Sequence, residues 1–166
     1  MGLFRQRQAF DPAPIQGKDT LLLDLDGVVY RGANAVGHAV EAITEIAGSG
    51  IRVGYIANNA SRTDTAVAEQ LSGFGLGAVA EDVVTSPQAA VHLLREHLAP
   101  GGLVLVVGGD GLVDELQKAG YRVTRSADDQ PDAVVQGFAQ DVGWVHLAEA
   151  SFALTRDIPW IATNQD

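Results

Sequence analysis

Residues 21–27 read LLLDLDG, an apolar run that closes on Asp24 and then, two residues later, on Asp26, with Gly27 behind them. A short apolar run of this length predicts a buried strand over residues 20–24. In parallel α/β sheets ligands gather at the carboxyl ends of strands, so an acid at this strand's end stands where chemistry is done. Gly27 lets the chain turn away directly after the pair. A carboxylate so placed can attack phosphorus and form an acyl phosphate. The second carboxylate can then protonate the leaving oxygen and afterwards activate water. Such a pair calls for Mg²⁺, a hard cation that takes carboxylate and phosphate oxygens and offsets the repulsion between them. A bare D-x-D also occurs in acidic turns. An apolar strand ending in DLDG, followed by a loop and a helix, is a more specific pattern.

Outward from this stretch, apolar runs and helical stripes alternate along the chain. After a glycine-rich loop over residues 26–37, Val40, Ile43, Ile46 and Ala47 form the stripe of a helix over 38–47, stopped by Gly48 and Gly50. A strand is expected over 51–57. The SRTD sequence at 61–64 has the form of a capping box and opens a helix to about residue 71. A short strand follows at 83–85. Ser86-Pro87 then reads as an N-cap with proline at the first helical position, opening a helix to about 98. Strands at 103–107, 121–124, 133–136 and 160–162 alternate with helices at 111–119 and 144–156. This order predicts an α/β protein with a largely parallel sheet. An internal boundary falls near Ser86, where one alternating series closes and the next opens.

Bulk properties narrow the function classes. Of 166 residues, 46% are hydrophobic and 19% charged, the balance of a globular domain and not of a disordered segment. A net charge of −10 argues against nucleic acid or a membrane surface as partner, since both need a basic patch. There is no cysteine, which excludes disulfides and thiolate metal sites. No apolar run reaches the length of a membrane span. Residues 1–16 lack the apolar region of a secretory signal, and Pro12 and Pro14 suit a loose arm. A cytoplasmic location is the expectation.

Five stretches carry a family resemblance: LLLDLDGVVYRG (21–32), YIANNASRT (55–63), EDVVTS (81–86), PDAVVQGF (131–138) and IATNQD (161–166). Together they resemble the haloacid dehalogenase (HAD) superfamily, and within it the NagD-like phosphatases with a C2-type cap (subfamily IIA), nearest in look to the actinobacterial glycerol-3-phosphate phosphatase type. The likeness runs from about residue 19 to the end. It implies an HAD-like, Rossmann-like partial core over 19–86 and an α/β C2-type cap, incomplete, over 87–166, preceded by an arm over 1–18. It implies that Asp24 is the nucleophile and Asp26 the general acid/base. Both would be metal ligands, Asp24 by its side chain and Asp26 by its backbone carbonyl, with Mg²⁺ as cofactor. Gly27, Asn58 and Asn59 would hold phosphate. The substrate would be a small phosphorylated metabolite, and Thr163, Asn164 and Asp166 would lie in a segment able to face the site.

The chain departs from the family pattern at three points. A Thr or Ser usually precedes the Asn pair, and its hydroxyl binds the phosphate; here the position is Ala57. Loss of a hydrogen bond to a charged group costs about 1.5–3 kcal/mol, which predicts slower or weaker turnover. Ser61 is a possible substitute hydroxyl, though a capping role explains it better. Val28 stands where Thr is common. The Lys that steadies the phosphate and the GDxxxD-type motif that completes the metal site, both from the second core half, have no counterpart in the 166 residues. Two readings follow: a Mg²⁺-dependent phosphatase acting through a phospho-aspartate, or a catalytically incompetent fragment or relative serving as a binding or interaction module. A core sheet short of neighbouring strands would leave an apolar edge that invites self-association. A homo-oligomer is therefore expected, and light scattering should report a species larger than the monomer.

Other residues compete for attention. Residues 103–114 (LVLVVGGDGLVD) imitate the missing metal motif through Asp110 and Asp114, yet no lysine lies between Lys18 and Lys118 to accompany them. His38, His92, His97 and His146 are scattered over helices and predict no metal site. Asp128, Asp129 and Asp132 suit a solvated turn. Trp144 and Trp160 suit packing. Tyr30 and Arg31 follow the acidic loop and could approach a substrate or serve structure alone.

Overall fold

A computed structural model of the chain describes residues 14–164. Of the arm expected over 1–18, only 14–18 fall within that range; they form a turn closed by Lys18 N–H on the Ile15 carbonyl. Asp166 lies outside the described residues.

The first unit is a three-stranded parallel sheet of β1 (Thr20–Asp24), β4 (Arg52–Ala57) and β5 (Val83–Thr85), in the order β1-β4-β5. Between β1 and β4 lie a small hairpin, β2 (Tyr30–Arg31) with β3 (Asn34–Ala35), and α1 (Ala39–Gly48). The hairpin occupies part of what reads in sequence as a plain loop. Helix α1 starts one residue later than expected because His38 takes a left-handed conformation, φ 67°. Helix α2 (Asp64–Gly73) connects β4 to β5. Leu23, Val53, Tyr55, Ala57 and Val83 face Ile43, Val67, Ala68 and Leu71 of the two helices, making one core.

Among the described residues, one face of this sheet is covered and the other is not. Leu22 (63% exposed), Ile56 (41%) and Val84 (53%) stand on the other. Gly54 sits among them, and the end of the Leu22 side chain lies over it, 2.8 Å from where a β-carbon would stand. Among the described residues, strand β1 is an edge.

The second unit is a four-stranded parallel sheet of β6 (Leu103–Val107), β7 (Arg122–Thr124), β8 (Ala133–Gln136) and β9 (Trp160–Ala162), in the order β7-β6-β8-β9. Helices α3 (Ser86–Leu94) and α4 (Asp110–Lys118) cover one face, packing on Val104, Val106, Ala133, Val135 and Ile161. Helix α5 (Trp144–Leu154) covers the other, on Leu105, Val107 and Val134. Coverage of both faces buries β6 and β8 almost without a break, whereas burial along β1 alternates. Leu112 and Leu116 of α4 are fully buried, and truncating either to alanine would cost about 2–5 kcal/mol.

Two helix caps differ from the sequence reading. Thr63, not Ser61, caps α2: its backbone is extended and its hydroxyl accepts from Ala66 N–H at 3.1 Å. Thr85, not Ser86, caps α3, in a reciprocal box with Gln88. Proline therefore sits one position deeper in the first turn than expected. In both cases the serine is engaged elsewhere, with consequences for the site.

Candidate active site

The D-L-D alternation works through its middle residue. Leu25 is buried, and the period of two in extended chain turns Asp24 and Asp26 to the exposed side. The Leu25 carbonyl collects the N–H groups of Val29 (2.9 Å) and Tyr30 (3.1 Å), folding the loop back on itself. Gly27 makes this possible with φ 82°, a left-handed conformation that other residues adopt at a cost. Its N–H is spent on the Tyr30 carbonyl at 2.7 Å, so Gly27 shapes the loop and does not line the cavity described below. Asp24 accepts the N–H of Leu25 on one carboxylate oxygen at 2.8 Å. Asp26 forms an isolated bridge with Tyr30, made by the groups flanking Asp26; its own carbonyl stays outside that bridge.

Asp24 pairs in register with Ile56, so the residues just past β4 stand beside it. A cavity of about 630 Å³ opens at these strand ends. Asp24, Asp26, Asn58 and Asn59 line it from the first unit; Gln136, Phe138, Thr163 and Asn164 line it from the second. The structure thus brings together the aspartates and both asparagines singled out in the sequence, along with Thr163 and Asn164. It adds Tyr30, Gln136, Gly137 and Phe138, for which sequence reasoning gave no specific role or, for Tyr30, none it could choose. Position at the carboxyl end of a parallel strand was the available signal for Gln136. Arg31 lies on the hairpin and is not in the lining. Asp110 and Asp114 are not in it either: Asp114 pairs with Lys118 at 2.7 Å, an exposed i,i+4 contact of small energetic value.

Gly111 of the imitation metal motif has another use, and Gly137 shares it. A β-carbon on Gly111, in the first turn of α4, would lie 2.6 Å from the Arg62 carbonyl oxygen, and one on Gly137 would lie 3.1 Å from the Ala60 β-carbon. The second unit therefore seats directly on the backbone of the 60–62 loop. Nearby, Gln88 donates to Asp64 at 3.0 Å, adding a polar tie between α3 and α2. Arg62 bonds to Gln70 and to the Ala66 carbonyl, and Gln70 reaches the Gly32 carbonyl at 2.7 Å. In an open helix Gly→Ala is stabilising by roughly 1 kcal/mol. Gly111→Ala should instead destabilise, by about 1–3 kcal/mol of strain, because backbone and not a flexible side chain blocks the methyl group. A lowered urea midpoint is the expected result; a raised one would mean that the seam yields.

Burial pushes the Tyr30 phenol above its ordinary value, with Asp26 and Asp24 adding to the rise and Arg62 opposing it. Burial also raises Tyr55 and Tyr121. A raised folded value means that the associated stability is intact below the ordinary phenol value near 10 and is lost as pH climbs through the folded value. Phenolate absorbance of the three tyrosines should therefore emerge only above pH 10, together with a fall in the denaturation midpoint.

Asp24 and Asp26 are oxygen donors of the kind a hard divalent cation takes, with water and ligand oxygens completing the shell. Among the described residues no group of three or more His, Cys, Asp or Glu side chains is placed to hold a metal. A hard cation here would therefore take few protein oxygens and complete its shell with water and ligand oxygens.

Fold and cavity define an α/β protein with an acid-lined pocket at the ends of parallel strands. The family model for haloacid dehalogenase-like hydrolases matches residues 21–122, and the chain belongs to that family. It is 44% identical over 151 residues to a D-glycerol 3-phosphate phosphatase of Mycobacterium tuberculosis, covering 91% of this chain and 42% of that protein. To an acid sugar phosphatase of Staphylococcus saprophyticus it is 32% identical, covering 87% and 55%. The crystal structure of the M. tuberculosis glycerol phosphate phosphatase in complex with magnesium superposes with a TM-score of 0.82, at 44% identity over 91% of this chain and 45% of that one. A p-nitrophenyl phosphatase from Archaeoglobus fulgidus gives 0.81, at 26% identity, 90% and 56%. The chain thus spans about half the length of these relatives, or less. Among the described residues no helix is long and apolar enough to cross a membrane.

Proposed function

We propose that this chain carries the nucleophile half of a Mg²⁺-dependent phosphatase of small phosphorylated metabolites, acting in the cytoplasm through a phospho-aspartate. The observation that carries this reading is the convergence of Asp24, Asp26, Asn58 and Asn59 in one strand-end cavity. A carboxylate oxygen of Asp24 attacks phosphorus, the bond to the ester oxygen breaks, and Asp26 gives that oxygen a proton. Asp26 then takes a proton from water as it attacks the acyl phosphate, releasing inorganic phosphate and restoring Asp24. Mg²⁺ bound by the Asp24 side chain and the Asp26 carbonyl would neutralise charge on the phosphate oxygens. Asn58 and Asn59 supply donors to those oxygens. The second unit acts as the cap, and Gln136, Phe138 and Thr163 meet the organic part of the substrate. The glycerol phosphate and sugar phosphate phosphatases among the relatives support a phosphorylated polyol or sugar as substrate class.

Ala57 favours a second reading for the isolated chain, a phosphate-ester binding module with little turnover. Release of phosphate from p-nitrophenyl phosphate in Mg²⁺ decides between the two. Release by the wild-type chain supports the phosphatase. Binding without release supports the module.

A further inference from the structure

Two serines that the sequence pattern offers as helix caps do not cap helices, and both are bonded to the asparagine pair. Strands β4 and β5 run in register with Ala57 opposite Thr85, so Asn58 and Ser86 are the next residues of neighbouring strand ends. The Ser86 hydroxyl donates to the Asn58 carbonyl at 2.8 Å. It is available because Thr85, by accepting from Gln88 N–H, already provides the helix cap.

The consequence follows from peptide geometry. There are no cis peptide bonds among the described residues, so the Asn58 carbonyl and the Asn59 N–H point in opposite directions across one planar unit. Strand β4 is central, with β5 on one side and β1 on the other. A carbonyl drawn toward Ser86 at the end of β5 turns the Asn59 N–H toward the side of β1, where Asp24 and Asp26 stand. Asn58 and Asn59 line the cavity; Ser86 does not. The Asn59 side chain is fixed in the same way. Its Oδ1 accepts both the Ser61 N–H at 2.9 Å and the Ser61 hydroxyl at 2.7 Å. Two donors on that atom identify it as the oxygen and leave the amide nitrogen facing elsewhere.

We propose that Ser86 is a positioning residue that aims the Asn59 N–H into the cavity as a phosphate donor, and that Ser61 holds the Asn59 amide for the same purpose. Neither hydroxyl need touch the ligand. With no hydroxyl at Ala57, the anion depends on these aimed donors against the charge of the two aspartates. The proposal rests on the phosphatase reading and adds to it the origin of the phosphate site's order.

The test is the affinity of the full chain for inorganic phosphate in Mg²⁺, measured by calorimetry, with the Asn59 amide followed by ¹⁵N–¹H NMR. Ser86→Ala should weaken phosphate binding about ten-fold, the scale of one hydrogen bond to a charged group. Ser86→Thr, which keeps the hydroxyl, should stay near wild type. Mg²⁺ affinity without phosphate should be the same in all three, since Asp24 and Asp26 lie on another loop. The Asn59 amide resonance should move on phosphate addition in the wild type and move less in Ser86→Ala. Equal phosphate affinity in wild type and Ser86→Ala overturns the positioning role alone. A parallel loss of Mg²⁺ affinity overturns it too, by showing general damage. A wild-type Asn59 amide indifferent to bound phosphate overturns it without any variant. No phosphate binding by the wild type overturns the site reading itself, and the proposal with it.

Discussion

Asp24→Asn is expected to abolish phosphate release, by on the order of 10⁴-fold or more, the scale seen when a nucleophile is removed from an enzyme. The amide is nearly isosteric with the carboxylate but cannot attack phosphorus. It can still accept the Leu25 N–H that Asp24 accepts at 2.8 Å, so the loop should keep its shape. Unfolding should therefore be little changed while turnover disappears, and thermal denaturation beside the phosphate assay checks both halves. Retained turnover would remove Asp24 from the chemistry. Asp26→Asn should differ in kind. The loss of the proton donor should fall hardest on esters with poor leaving groups, because an aryl phosphate such as p-nitrophenyl phosphate needs less help from an acid. A uniform loss across both ester types would count against the acid role.

Ala57→Thr is the change expected to add the most. Ala57 is 4% exposed, lines the cavity, and ends the strand that delivers Asn58 and Asn59. A hydroxyl there would gain a hydrogen bond to a charged ligand, about 1.5–3 kcal/mol, which is roughly 10- to 150-fold in phosphate affinity. Threonine suits an extended strand, so backbone preference does not oppose it. The added volume costs stability where packing is tight. Ala57→Val separates the two effects, being similar in shape without the hydroxyl. A gain in Thr and none in Val, read by calorimetry with phosphate and Mg²⁺, is the expected pattern. The same gain in both would assign the effect to packing.

The two variants also measure how the site divides its work. The loop that follows Asp24 is shaped by local forces: one buried leucine, one left-handed glycine and hydrogen bonds within residues 24–30. The donors are placed by distant ones. The Asn58 carbonyl is held by Ser86, 28 residues away, and the 60–62 backbone abuts Gly111 and Gly137. Changes to the second unit, far from the aspartates in sequence, should therefore be felt first in anion binding.

From the sequence alone, the strand ending in Asp24, the spacing to Asp26 and the alternation of strands and helices could be read, because each depends on residues close together in the chain. Strand bounds at 103–107, 133–136 and 160–162 follow from apolar runs whose meaning needs no partner. Tertiary structure decided the rest. Ser61 and Thr63 both have capping chemistry, and only the competing bond to Asn59 shows why Thr63 takes that role. The stretch around Asp110 looks like a metal motif on paper, yet its neighbouring glycine serves close approach to Arg62. Tyr30, Gln136 and Phe138 share a cavity with Asp24 because two sheets meet there, and no local pattern encodes that meeting. Short-range preference writes an element and its ends into the sequence, whereas a site built between two units exists only once both have packed.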